Sequence, residues 1–384
     1  MMLGELGPRE DYQLVGIRVF SSTDGGQTYP VELDVTGWRS FPSGALQLDQ
    51  TRLLELTTDP KAYGRALGEM LFADTAIGGA YRETMVALEA RGDTMRLRLR
   101  LDPAELETLG WERILMPLGG DWQPLAATAD TPFSRYVLAQ RWERPKPITE
   151  RPVRVLAVLA SPDGLEAYNL DPIPAEERQA LHTLLDGLPE VAVTYLESGT
   201  AAAPSLNAIR AALSEGHHLI HILCHGTRTA RGNVLYIEAG DSTTEPVEAT
   251  RLVEAFKLAT RPPALTFLAA CESAMRSRGD AFVPLGPALV ERGGVQAVVA
   301  MSDRVGLQTA RLFTGQFYTR LLNHGLVDLA MNEARALVQD EWDWGVPVLF
   351  SRLPDNQLID FPIGRFYDTY LSHADRAYLA ADEA

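Results

Sequence analysis

From residue 154 onward the chain alternates short apolar runs with stretches of helical period, and that rhythm restricts its fold more than any other feature. The runs RVLAVLA (154–160), VAVTYL (191–196), LIHILC (219–224), VLYIEA (234–239), ALTFLAAC (264–271) and VQAVVAM (295–301) have strand length and apolar content. Helical periodicity falls at 174–187, 204–215, 249–258 and 284–292, and two more helices fit between about 305 and 340. Such alternation predicts an α/β fold: a mainly parallel sheet with helices on both faces. In sheets of this kind, ligands and chemistry gather outside the carboxyl ends of the strands.

Upstream the pattern differs. YQLVGIRVF, YPVELDV and TMRLRLRL read as strands, and residues 61–91 as helical, so a smaller α+β unit precedes the main one. In TMRLRLRL, Met95, Leu97, Leu99 and Leu101 alternate with Arg96, Arg98 and Arg100, which predicts one buried and one solvated face. The stretch WERPKPITERPV (142–153) carries three prolines among charged residues and no apolar period, so a boundary is expected near residue 150. Residues 1–150 then form the first domain and 151–384 the second.

A length of 384 residues suits two or three domains, and 46% apolar content is enough for a sizeable core. The net charge of −16 is spread along the chain, which argues against nucleic acid and anionic membranes as partners and favours a basic protein segment or substrate. The start lacks a cationic, then apolar, leader, and nowhere do 18 apolar residues run together, so a cytoplasmic protein is expected. Cys224 and Cys271, the two cysteines, are then read as thiols.

The stretch HLIHILCHG (218–226) sets titratable groups into an otherwise apolar strand. If residues 219–224 are a buried strand, His225 and Gly226 leave its carboxyl end, as Cys271 leaves that of LTFLAA. An imidazole within reach of a thiol supplies the base, or the cation, that makes a thiolate nucleophile. Gly226 would let the backbone turn and present an N–H, and with the Cys271 amide it would form an oxyanion hole. This constellation suits acyl transfer from a peptide bond.

The pattern resembles the CHAT domains, caspase-like cysteine peptidases related to separase and gingipain. The matching blocks are HILCHG (221–226), FLAACESA (267–274), LVERGGVQAVVAMSDRV (289–305) and FYTRLLNHGLVDLAMNEAR (317–335), with RLRLRLDPAELETLGWERIL (96–115) similar to the segment preceding many such peptidases. The likeness covers about residues 95–350. It implies a caspase-like sheet, His225 as catalytic histidine, Cys271 as nucleophile, Gly226 at the oxyanion hole, and neither metal nor organic cofactor. It also implies a regulated endopeptidase in bacterial defence or cell death, acting on a protein substrate and switched on by a separate activator or by a sensor, here another subunit or the N-terminal domain. For residues 1–150, regulatory and pseudo-peptidase roles are both open. In the family the strand after the nucleophile commonly ends in a tryptophan-containing run. Here that place reads AMSDRV.

Histidines 217, 218, 221 and 225 would suit zinc only on a helix, and no HExxH glutamate is present. No GxSxG elbow occurs for a serine hydrolase. Ser273 fits a helix start, and Glu272 diverges in direction from its neighbour. Cys224 is out of phase with His225 and is expected to pack, while His221 shares the face of His225. Asp163, in SPDG, and Asp303, in MSDRV, stand where the family builds its substrate pocket, and two carboxylates there would select Arg or Lys. Their alternative roles are a turn residue and a helix cap. Two further expectations remain: a catalytically silent binding or scaffold module, and a first domain that occludes the groove.

Overall fold

The computed structural model describes residues 12–38, 40–118, 121–139, 145–229, 232–269 and 282–360. The first part contains β1 (Tyr12–Val19), β2 (Thr28–Val35), β3 (Gly44–Gln47), α1 (Gln50–Glu55), α2 (Pro60–Phe72), α3 (Thr75–Arg91), β4 (Thr94–Leu101), β5 (Leu115–Leu118), β6 (Asp121–Pro124) and β7 (Phe133–Tyr136). Local chemistry sets its helix ends. Asp59 caps α2 ahead of Pro60, Asp74 caps α3, and Gly92 closes α3 in the left-handed region.

The second part brings β8 (Val153–Leu159), α4 (Ala175–Asp186), β9 (Val191–Glu197), α5 (Leu206–Ser214), β10 (Leu219–Leu223), β11 (His225–Thr229), β12 (Gly232–Glu238), β13 (Thr244–Glu248) and α6 (Ala249–Leu258). β14 (Leu265–Ala269), α7 (Leu285–Glu291), β15 (Ala297–Met301), α8 (Leu307–His324), α9 (Val327–Leu337) and β16 (Pro347–Ser351) complete it. α5, α6 and α7 pack in one series, and α4, α8 and α9 in another, so helices flank the sheet on both faces.

Among the described residues, eleven strands form one sheet in the order β3-β2-β1-β4-β7-β16-β15-β14-β10-β8-β9. β9, β8, β10, β14 and β15 are mutually parallel, as the strand and helix rhythm requires. β12, expected among these strands, lies instead in a side sheet with β11 and β13. The two parts meet edge to edge, because β16 is antiparallel to β15 yet parallel to β7. Two apolar cores result, one from residues between Val15 and Phe133, the other from residues between Ala127 and Ile359.

The arginine face of β4 is not solvated as expected. Arg96 is 7% exposed and its Nε lies 2.8 Å from the Asp328 carboxylate of α9, while Arg98 donates to the Leu353 carbonyl at 2.8 Å. Strand alternation marks which residues share a face but not what covers it. Here the C-terminal part does. Asp328 also accepts from Asn356 Nδ2 at 2.8 Å, Asn332 Nδ2 donates to the Thr128 and Thr131 carbonyls, and Arg335 donates to those of Ala126 and Pro347. These fully buried groups make a polar seam between the two parts.

Gly325 ends α8 at φ +76°, and a Cβ there would overlap the Ile359 carbonyl oxygen. Gly325→Ala is therefore expected to cost at least about 1–3 kcal/mol from the left-handed backbone alone, measured by urea denaturation. A midpoint unchanged from the natural protein would contradict this placement.

Candidate active site

β10 is buried at all five positions and is flanked by β8 and β14, both parallel to it. Its register with β14 sets Leu223 level with Ala269, so the two strands end side by side. The chain leaves β10 through Cys224 and enters β11 at His225. The change of direction thus falls at Cys224. Gly226, expected to turn the backbone, is a strand residue of β11 paired with Leu235, because a hairpin takes up the chain at once.

His225 is fully buried, at 0% exposure. Cys271, together with Glu272 and Ser273, lies outside the described residues; its position in the chain is two beyond Ala269, as His225 is two beyond Leu223. Cys224 is buried in the core, and desolvation pushes its thiol up to about 12. A thiol so placed is inert.

His221 projects beneath the strand tip. It stacks on Phe267 with ring centroids 4.7 Å apart, and its Nδ1 lies 3.0 Å from Tyr318 Oη. Burial pulls its pKa down from 6.5 to about 3, so the ring is neutral near pH 7. In the unfolded chain the same ring takes up a proton once the pH drops below about 6.5. Its contribution to stability is therefore complete above that pH and is lost on acidification toward 3, at up to about 1.4 kcal/mol per pH unit. Between pH 6.5 and 5, His221→Gln is expected to show a shallower loss of denaturation free energy than the natural chain. Parallel slopes would refute the buried neutral ring.

The remaining histidines of the segment have other partners. His217 bonds to the Ala212 carbonyl and Thr194 Oγ1, and His218 Nδ1 accepts the Arg154 N–H at 3.1 Å. The segment is a strand, so the helical spacing that a zinc pair would need does not arise. Among the described residues no group of three or more His, Cys, Asp or Glu side chains is arranged to hold a metal ion.

Asp163 and Asp303 are both exposed. The Asp163 backbone bonds to Ser242 and Thr244, and the Asp303 carboxylate accepts the Arg304 N–H at 2.8 Å. A cavity of about 140 Å³ opens at the same end of the sheet, between α4, α8 and the tips of β10, β14 and β15. Neither aspartate borders it. Nothing in the sequence announced this cavity, since its walls come from two helices more than a hundred residues apart.

A family model, the CHAT domain, matches residues 61–351, three-quarters of the chain. The chain belongs to the CHAT domain family. Its match starts upstream of the expected residue 95, so most of α2 and all of α3 fall within it. Membership makes this CHAT chain a module of a caspase-like, protease-related family. No curated protein matches it. Among solved structures it is similar to a chain of the Saccharomyces cerevisiae separase–securin complex, at 13% identity and a TM-score of 0.38. That likeness covers 74% of this chain and 18% of the other. A second structure of the same complex gives 13% identity and a TM-score of 0.37, over 67% and 15%. Among the described residues of this CHAT protein, no helix is long and apolar enough to cross a membrane.

Proposed function

We propose that the chain is a regulated cysteine endopeptidase in which His225 and Cys271 form the catalytic dyad. One observation carries this reading: Leu223 and Ala269 are paired on adjacent parallel strands, and each candidate follows its paired residue by two positions. Neighbouring strands run about 4.8 Å apart and a residue extends the chain by at most about 3.6 Å, so chain geometry allows the two residues to approach one another.

In the proposed reaction the Cys271 thiolate attacks the carbonyl carbon of a peptide bond. The N–H groups of Gly226 and Cys271 receive the oxyanion. As the tetrahedral intermediate collapses, the C–N bond breaks and the His225 imidazolium gives its proton to the leaving amine. Water, deprotonated by His225, then attacks the thioester, releasing the acid and restoring the thiol. A separate activator or sensor, a protein substrate and a place in bacterial defence or cell death belong to the same proposal, by family analogy.

A silent caspase-like binding module is the second reading, and the complete burial of His225 favours it. Mass spectrometry of peptide-library digests separates the two. Products formed by the natural chain and absent with Cys271→Ala support the peptidase; identical, uncleaved libraries from both proteins, with and without cell extract as a source of activator, support the silent module.

A further inference from the structure

We infer that the cavity at the strand tips receives the substrate side chain next to the attacked carbonyl, and that this side chain is apolar, of leucine or methionine size. The inference rests on the peptidase reading above for its position, and on the cavity itself for its chemistry. Leu223, Ala269 and Met301 form the strand side of the cavity. The first two are the residues that precede His225 and Cys271 by two positions, so on the peptidase reading the cavity lies beside the reacting groups.

The opposite wall is mostly apolar, with Leu181 and Leu184 from α4 and Ala310 from α8 beside the buried Thr314. His221 is the titratable group facing in from the sheet, and it is neutral near pH 7 because it is desolvated. Among the described residues, the charged groups at its border are half-buried Glu177 and exposed Arg311, which have opposite signs, so their net charge favours neither a cationic nor an anionic side chain. A buried charge without a partner is strongly disfavoured, whereas an apolar group gains by leaving water. Size points the same way. Apolar cavities of about 150 Å³ hold a group as large as benzene, and this one is about 140 Å³.

The test uses the full chain and peptides that differ at the one residue: Leu, Met, Arg, Lys or Asp. Leu and Met substrates are expected to exceed the charged ones by at least about tenfold in kcat/KM. Ala310→Leu, which fills the cavity from α8, should lower kcat/KM for the Leu substrate by about tenfold or more and spare an Ala substrate. Leu184→Ala, which enlarges it, should raise Phe relative to Leu. Preference for Arg or Lys, or indifference to both variants, overturns the inference while leaving the peptidase standing.

If no peptide is cut, binding decides. N-acetyl-leucinamide and N-acetyl-argininamide are titrated while the methyl NMR signals of Leu184 and Met301 are followed. Shifts with the first alone, lost in Ala310→Leu, uphold the cavity's selectivity although the peptidase reading has failed. No shift with either, or equal shifts with both, overturns it.

Discussion

Removal of residues 1–150 is expected to give a chain that does not fold, not a released enzyme. β16 would lose β7 and become an open edge in mid-sheet. Asp328 would lose Arg96, Asn332 and Arg335 would lose the carbonyls of Thr128, Thr131 and Ala126, and the core of the second part would lose Val137 and Ile148. A lost hydrogen bond is worth about 0.5–1.5 kcal/mol, one to a charged group about 1.5–3 kcal/mol, and a large apolar side chain taken from the core about 1.5–3 kcal/mol. Whole-domain stability is about 5–15 kcal/mol, so the losses are comparable with all of it. Gel filtration and thermal unfolding of residues 151–384 should show aggregates without a cooperative transition. A soluble fragment that unfolds cooperatively would mean that the two parts are independent. Asp328→Ala in the full chain tests the seam alone, with an expected loss of about 3–5 kcal/mol by urea denaturation. Autoinhibition by the first domain is better probed by such point changes than by deletion.

Cys271→Ala and His225→Ala are each expected to lower kcat/KM by about 10³-fold to 10⁶-fold, and the double variant to be no worse than the poorer single one. Members of a catalytic unit are not additive, because removing one already disables the other. His225 is wholly buried, so its replacement also leaves a void, and thermal unfolding must show that the variant is still folded at the assay temperature. His225→Gln, closer in volume, should be equally inactive and more stable. Losses that multiply in the double variant would mean that the two residues act separately.

The second part of the fold was legible because its strands are buried on both faces and read as continuous apolar runs. β8, β10, β14 and β15 fall within a residue or two of the expected places, and α6 on them. β16 went unread. PVLFS is short, opens on a proline, and joins the sheet against the local rhythm, through partners from the first part. The arginines of β4 looked solvated because alternation carries no information about a neighbour 230 residues away. At the site, the strand ends beneath His225 and Cys271 were readable from apolar run length. The role foreseen for Gly226 as a turn was not, since a hairpin partner decides whether a glycine bends or extends. The cavity walls on α4 and α8 looked like any amphipathic helix face, and only packing makes them a container.

The pairing of His225 with Cys271 is tested most directly by the pH dependence of iodoacetamide labelling, with each cysteine followed by peptide mass spectrometry. Cys224 supplies an internal control, since its buried thiol, held up at about 12, should stay unlabelled in the folded protein. Cys271 is expected to be a thiolate already reactive below pH 7, shifting toward the free-cysteine value of about 8.5 in His225→Ala. A Cys271 profile that matches free cysteine and does not respond to His225→Ala would contradict the pairing.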